Sequence, residues 1–162
     1  MRVLKSWNAK ASFYFIANAG LLTGASGRDV HVQAIAGWQY RGWFAGVGAG
    51  LDYYFVRSVP LFIDIRKTFS KPHIPFIYAD AGCNLPWTTT KDEPVWFAQH
   101  YKWGMYYDVG AGWDFKMGDK KRFLLSSGFS GKKLAALQTT GNDKTKISYT
   151  LRRLSLKVGI RL

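Results

Sequence analysis

The sequence predicts an all-β fold, a closed eight-stranded antiparallel barrel with up-and-down connections. Apolar and polar residues alternate along eight separate stretches. This period of two is that of a β-strand, whose successive side chains point to opposite faces. The stretches run to about 10 to 13 residues, against about 5 to 6 for an ordinary strand. No stretch shows the period of a helix of useful length, so we expect residues 1–162 to form a single β-domain.

The N-terminal part of the chain supplies the first two strands. The first is predicted over Ala11 to Thr23 and is followed by the turn sequence GASGRD, and the second is predicted over Val30 to Tyr40. The start of the chain also resembles a secretory signal, because basic residues precede an apolar stretch. Asn18 interrupts that stretch, so we expect a strand here and any export signal outside this sequence.

The third strand, Trp43 to Phe55, has the sequence WFAGVGAGLDYYF, with glycine at three alternate positions. The spacing does not fit the G-x-G-x-x-G phosphate-binding motif. A G-x-x-x-G membrane helix would need about 20 apolar residues, whereas the uncharged run is only Gly42 to Leu51. On a strand the glycines share one face, and the aromatic and aliphatic residues share the other.

The other five strands are separated by turn signals such as RSVP, SKPHIP and MGDKKR. Two longer connections, residues 85–102 and 133–148, are predicted to be loops. The predicted strands are Leu61 to Phe69, Phe76 to Asn84, Trp103 to Phe115, Phe123 to Lys132 and residues 152–162.

The apolar faces are predicted to point outward, which makes the barrel transmembrane. The nearly forty apolar-face residues would not fit inside eight strands, and strands near 10 residues are long enough to cross a bilayer when tilted. The opposite faces carry Gly, Asp, Arg and Lys but no Glu, and charges of both signs in a narrow lumen can pair. The predicted polar network of the lumen is Asp52, Asp64, Arg66, Asp80, Asp108, Asp114, Arg153, Lys157 and Arg161.

Aromatic residues near the strand ends predict two girdles at the membrane surfaces. Eight strands place both termini at one end of the barrel, with the shorter turns, while the longest loops lie at the other end. This is the arrangement of outer-membrane barrels. The predicted girdle residues are Trp38, Tyr40, Trp43, Trp113 and Phe115 at the terminal end and Tyr53, Phe55 and Trp103 at the loop end.

The alternating strands and the closing strand LSLKVGIRL resemble the small outer-membrane β-barrels of the OmpA/OmpX type. The stretches GVGAGLDYYFVRSVPLFIDIR, PFIYADAGCNLPW and GMYYDVGAGWDF resemble outer-membrane barrel proteins of the Bacteroidetes kind. The resemblance covers nearly the whole chain and implies a location in the bacterial outer membrane. In such families the last strand is recognised by the assembly machinery, and Leu162 stands here in place of the usual terminal aromatic residue. The family carries no single activity to transfer.

No catalytic signature accompanies the barrel pattern. One lipid A deacylase family places Ser two residues after His, but Gln, Pro and Lys occupy that position after His31, His73 and His100. The inward aspartates could converge on a metal, but the basic residues predicted beside them favour ion pairs. With Cys83 as the only cysteine, an intramolecular disulfide is excluded. We therefore expect no enzyme, no cofactor and no metal, and a structural His31 in the lumen.

The formal net charge of +13 predicts an anionic partner. Nucleic acid is disfavoured, because the aromatic residues and the strand cations lie on opposite faces and cannot form one stacking surface. The expected partners are membrane lipid or lipopolysaccharide, and proteins bound through the loops 85–102 and 133–148. The expected function is a structural or binding scaffold, or a subunit of an envelope complex. The alternatives are an outer-membrane enzyme acting on lipid A or phospholipid, and a soluble cationic barrel or sandwich that binds an anionic ligand.

Overall fold

The computed structural model describes residues 11–25, 27–69, 74–87, 99–117, 121–140 and 143–162. Regular structure in these residues consists of strands, and none of them lies in a helix long and apolar enough to cross a membrane. The strands are β1 (Ser12–Gly24), β2 (Gly27–Tyr40), β3 (Trp43–Asp52), β4 (Ser58–Thr68), β5 (Ile74–Pro86), β6 (Gln99–Lys102), β7 (Gly104–Lys116), β8 (Arg122–Thr140) and β9 (Asp143–Arg161).

The strands close into an eight-stranded antiparallel barrel. Each strand from β1 to β5 pairs with its neighbour in sequence, β5 pairs with β7, and β7 pairs with β8. The barrel closes because β9 pairs with both β8 and β1. The short β6 pairs with β8 directly beyond β7, so the two occupy one position in the wall. The predicted fold class is therefore confirmed.

A β-bulge separates β6 from β7. Lys102 pairs with Ala135, and Tyr106 pairs with Lys132. Between these two pairs, three residues (103–105) lie on the β6–β7 side, but only two (133 and 134) lie on β8. The β6–β7 side therefore has one extra residue near Trp103. The predicted strand started at Trp103, but the structure continues the wall to Gln99 through this bulge.

The side chains alternate strictly between the outside and the lumen. On β4, Ile63 is 59% exposed while Asp64 is fully buried. The exposed face is apolar along most of the barrel height, with Val47 exposed by 66% near the middle of β3. The lumen is not purely polar, because a cluster of buried apolar and aromatic residues also fills it. This cluster is Ile16, Ile35, Phe44, Phe62, Phe76, Tyr78, Tyr106 and Leu124.

The predicted loop over residues 133–148 is wrong, because β8 and β9 continue through it as a hairpin up to Thr140 and from Asp143. At this height the hairpin extends past the end of β1, whose last pair with β9 is Gly24 with Arg153. The base of this hairpin still has a buried face, since Leu134 is 1% exposed while its neighbour Lys133 is exposed. The sequence beyond it no longer alternates between apolar and polar residues, although the backbone pairing continues to Thr140 and Asp143.

Two smaller differences concern strand ends. The predicted turn sequence GASGRD is mostly strand, since β1 ends at Gly24 and β2 begins at Gly27, which has a φ of 117° that suits glycine. The third predicted strand extended to Phe55, but β3 ends at Asp52. Phe55 has a φ of 64°, a left-handed conformation that breaks the extended chain.

Candidate functional site in the barrel lumen

The lumen brings together five aspartates and six basic residues from six strands, β3, β4, β5, β7, β8 and β9. Three of the aspartates form a row, because Asp64 lies opposite Asp80 in the β4–β5 pairing and Asp80 lies opposite Asp108 in the β5–β7 pairing. Residues directly opposite each other point to the same face of a sheet. The sequence alternation therefore places the carboxylates side by side in the lumen, where Arg66 reaches Asp64 along the same strand and Lys157 on β9 reaches Asp80 and Asp108.

An ion-pair cluster closes the loop end of the lumen. The Asp52 carboxylate accepts a 2.5 Å hydrogen bond from Nη1 of Arg153 and lies 3.4 Å from Nζ of Lys132. The other guanidinium nitrogen of Arg153 donates to Oγ of Ser130 at 2.9 Å. All four side chains are buried. One carboxylate thus holds two cations from β8 and β9, which ties the β3 wall to the opposite side of the barrel.

The loop between β3 and β4 folds over this cluster. Tyr54, a residue of this loop, is buried, and the Arg153 guanidinium lies 5.2 Å from its ring centre. The Tyr54 amide donates to Oδ1 of Asp52 at 2.8 Å. Lys132 donates from Nζ to the Val56 carbonyl at 3.0 Å. The residues that pair in the lumen therefore also hold this loop in place, and the buried Tyr54 side chain covers the loop end of the lumen.

The middle of the lumen is organised around Lys157. Its Nζ lies 3.1 Å from Oδ2 of Asp108 and 3.8 Å from Oδ2 of Asp80. Asp108 also accepts hydrogen bonds from the Tyr78 hydroxyl at 2.9 Å and from Ser155 at 3.3 Å. No described residue donates a hydrogen bond to the carboxylate oxygens of Asp80. Asp108 is the well-satisfied partner of Lys157, and Asp80 is the weaker one.

At the terminal end of the lumen the pairs are made by arginine. Arg66 holds Asp64 through three hydrogen bonds of 2.7 to 2.9 Å. Asp114 accepts a 2.5 Å hydrogen bond from Arg122 and forms an ion pair with Arg161, whose Nη2 lies 2.9 Å from its Oδ2. Planar guanidinium groups suit such bidentate and shared contacts with carboxylates. A cavity at this end measures about 10 Å³, which holds no more than about one water molecule.

Glycines make room for the largest lumen side chains. A Cβ on Gly128 would collide with the Tyr78 hydroxyl, and one on Gly110 would lie 2.7 Å from it. A Cβ on Gly48 would lie 2.5 Å from the Phe62 ring. These glycines therefore leave room for the side chains of Tyr78 and Phe62, which lie directly opposite Gly110 and Gly48 on adjacent strands and help to fill the lumen.

The eight girdle residues lie outside the barrel, with exposed fractions between 36% for Phe115 and 71% for Trp103. At the terminal end cations lie over two of the rings: Arg41 is 5.2 Å from the Tyr40 ring centre, and Lys67 is 4.6 Å from that of Trp43. Aromatic side chains beside basic ones are typical of the boundary between hydrocarbon and water.

The closed eight-stranded barrel recurs in solved structures. Neisserial surface protein A (NspA) matches with a TM-score of 0.69 and 13% identity, over 94% of this chain and 98% of that one. The N-terminal β-barrel domain of Pseudomonas aeruginosa OprF matches with a TM-score of 0.60 and 12% identity, over 94% of this chain and 100% of that one. The outer membrane protein AlkL matches with a TM-score of 0.56 and 14% identity, over 93% of this chain and 87% of that one. Neither a protein-family model nor a curated protein sequence matches the chain.

The chain has the fold of the small outer-membrane β-barrels. At 12 to 14% identity the likeness concerns the fold alone. The resemblance inferred from the strand pattern is thereby confirmed at the level of architecture. What this barrel does has to be argued from its own residues.

Of the three histidines, the structure describes the side chain of His31. His31 is buried in the lumen, and no described residue forms a hydrogen bond with either of its ring nitrogens. His73 and the side chain of His100 lie outside the described residues. Among the residues that are described, no three His, Cys, Asp or Glu side chains are placed to hold a metal ion.

Two important lumen residues fell outside the predicted network. Arg122 was assigned to a turn, yet it starts β8 and pairs with Asp114. Extending the alternation of the seventh predicted strand by one residue would have placed Arg122 inward, together with Leu124 and Ser126. The predicted strand Trp43 to Phe55 likewise gives Tyr54 the inward parity of Asp52, and the structure buries Tyr54 although β3 ends at Asp52.

Proposed function

We propose that the chain is an integral protein of the bacterial outer membrane, with a closed lumen and a structural or binding role. The observation that supports this most strongly is the inside-out distribution of its side chains. Most of the outer surface is apolar, far beyond the patches of a few hundred Å² that soluble proteins expose, while Asp64, Asp80 and Asp108 are buried. Surrounding hydrocarbon would make the apolar outer surface stable, and ion pairs inside the barrel would make the buried aspartates stable.

A closed lumen is supported by the contacts within it. Tyr54 covers the loop end, Lys157 and Asp108 bridge the middle, and Asp114 holds two arginines at the terminal end. A solute pathway would require several of these buried ion pairs to separate, each leaving uncompensated charges at a cost of several kcal/mol. The proposal therefore assigns the barrel neither general solute conduction nor catalysis in the lumen.

A binding role is supported by the extension at the loop end. The hairpin of β8 and β9 continues past Gly24, the last residue of β1 that pairs with β9, and β6 adds a third strand to it. This three-stranded extension projects from a wall that would be fixed in the membrane, which is a suitable platform for another envelope protein. We propose the hairpin over residues 133–148 and the connection within 85–102 as the partner-binding region, and lipid or lipopolysaccharide as the surrounding partner.

The proposal is tested by refolding the chain in detergent and comparing its gel mobility with and without heating. A closed membrane barrel migrates differently before and after heating, whereas a soluble sheet protein folded without detergent would contradict the membrane assignment. Reconstituted vesicles then test the lumen. We expect no more uptake of small sugars than in empty vesicles, and uptake comparable to that with a porin would contradict the closed lumen.

A further inference from the structure

Charges in this molecule are separated between the lumen and the outside. None of the described acidic side chains lies on the outer face: five are buried ion-pair partners in the lumen, and the half-buried Asp29 has the same inward parity as His31 on β2 and pairs with the buried Leu22. The outer surface nevertheless carries a series of exposed basic residues, which have no carboxylate to neutralise them in the parts of the chain described. The exposed basic residues are Arg28, Arg41, Arg57, Lys102, Lys116, Lys121, Lys133 and Arg152.

Three of these cations form a contiguous cluster on neighbouring strands at the loop end. Lys102 on β6 pairs with Ala135, Lys133 lies two residues before Ala135 on β8, and Arg152 on β9 pairs with Gly131, two residues before Lys133. Lys133 therefore has a cation diagonally across from it on each side. Such diagonal neighbours lie about 7 to 8 Å apart at the backbone, within reach of long side chains. No ion pair joins the three to a described acidic residue.

The cluster borders the apolar band of the outer face. Trp103, next to Lys102, is the most exposed of the large apolar side chains at 71%, and the pair Phe129 and Leu154 lies one outward row below Arg152. Basic side chains at this height would lie at the level of lipid headgroups if the apolar band occupies the hydrocarbon. The loop end of the opposite wall differs, since exposed Tyr53, Phe55 and Trp87 stand there with Arg57 as a single described cation.

We propose that Lys102, Lys133 and Arg152 form a binding site for the phosphate groups of a lipid headgroup in the leaflet at the loop end of the barrel. This inference rests on the proposed membrane location. Like charges held this close repel one another, and an anionic group shared between them removes the repulsion. Arginine and lysine are the side chains that bind phosphate most strongly, and the acyl chains of the same lipid would lie against Trp103 and Leu154.

The site is tested on the refolded full chain in neutral detergent, with native mass spectrometry as the readout. The probes are lipid A with two phosphates, its dephosphorylated form and inorganic phosphate. The variant K102Q/K133Q/R152Q removes the cluster, and the matched control R41Q/K116Q/K121Q removes three exposed cations from the terminal end. K102R/K133R/R152K keeps all three charges.

We expect the phosphorylated lipid to bind the unmodified chain more tightly than the dephosphorylated lipid does. Each basic residue near an anionic lipid surface contributes about fivefold in affinity, so the triple neutralisation should weaken binding by roughly tenfold to a hundredfold. The terminal-end control should change it less than about twofold, the charge-preserving variant should retain it, and inorganic phosphate at the same concentration should compete weakly.

Equal losses in the two triple variants would overturn the inference in favour of diffuse attraction. Equal binding of the dephosphorylated lipid, or full competition by inorganic phosphate, would also overturn it. Failure of the proposed function is distinguishable, because all variants are first checked for heat-dependent gel mobility. A chain that folds as a membrane barrel but does not discriminate lipids would contradict only the phosphate site.

Discussion

The lumen and the outer face of this barrel are built by the same strands and differ in almost every physical respect. On β4 the neighbours Ile63 and Asp64 are 59% and 0% exposed, and on β9 Leu156 is 53% exposed while Lys157 is 1% exposed. Charge is concentrated where water is scarce, and apolar area is concentrated where a soluble protein would carry its charges. The comparison teaches that alternation alone specifies two faces, and the surrounding medium determines which face is stable outside.

Each face depends on a different interaction. The lumen carboxylates depend on specific partners, because an unpaired buried charge costs several kcal/mol. The outer side chains need no specific partner, because hydrocarbon surrounds them in the proposed location. Substitutions that break ion pairs inside should therefore have larger and more local effects than most changes outside.

The largest effect is expected for Lys157→Met, which leaves Asp80 and Asp108 without their shared cation. The loss in the free energy of unfolding should be about 3 to 5 kcal/mol, measured by urea unfolding in lipid vesicles. Lys116→Met, at an exposed position of the terminal end, is the control and should change it by less than about 0.5 kcal/mol. Similar values for both variants would show that the Lys157 pairs do not stabilise the barrel.

A charge placed on the outer face should have the next largest effect. Val47→Arg is expected to cost about 2 to 4 kcal/mol in the same unfolding measurement, because Val47 lies near the middle of the apolar band. Ala25→Arg, in the exposed turn between β1 and β2, should cost about 0 to 1 kcal/mol. Tolerance of arginine at position 47 would indicate that this face is not in hydrocarbon.

Packing in the lumen should be sensitive to a single methyl group. Gly48→Ala would place a Cβ 2.5 Å from the buried Phe62 ring, so we expect a loss of about 1 to 3 kcal/mol from overpacking. The outward-facing Ser127→Ala serves as the control and should remain within about 0.5 kcal/mol. An unchanged unfolding midpoint for Gly48→Ala would show that the lumen is loosely packed.

The smallest effect is expected for Asp80→Asn. Lys157 keeps its 3.1 Å contact with Asp108, and the substitution relieves the repulsion between Asp80 and the aspartates directly opposite it on both sides. We expect a change below about 1 kcal/mol, against several kcal/mol for Asp108→Asn. Equal costs for the two variants would contradict the unequal roles assigned to the carboxylates.

The sequence predicted the face of each side chain better than the length of the strands or the partners in the lumen. Alternation persists only where the two faces meet different media, so it indicated that Asp64 and Val47 lie on opposite sides. Residues 133–148 lose the alternation of apolar and polar residues in the sequence, although the strands continue through them. The pairing of Arg153 with Asp52 joins residues 101 positions apart, and that depends on barrel closure and register, which no local pattern contains.

The most direct test of the inside-out arrangement is a spin label at position 47, introduced as Val47→Cys in a Cys83→Ala background and reconstituted in vesicles. A matched label at position 25, in the exposed turn between β1 and β2, reports an aqueous site. At position 47 we expect collisions with lipid-soluble oxygen to exceed those with a water-soluble nickel complex, with the reverse at position 25. Preferential contact of the label at position 47 with the nickel complex would contradict an outer face in hydrocarbon.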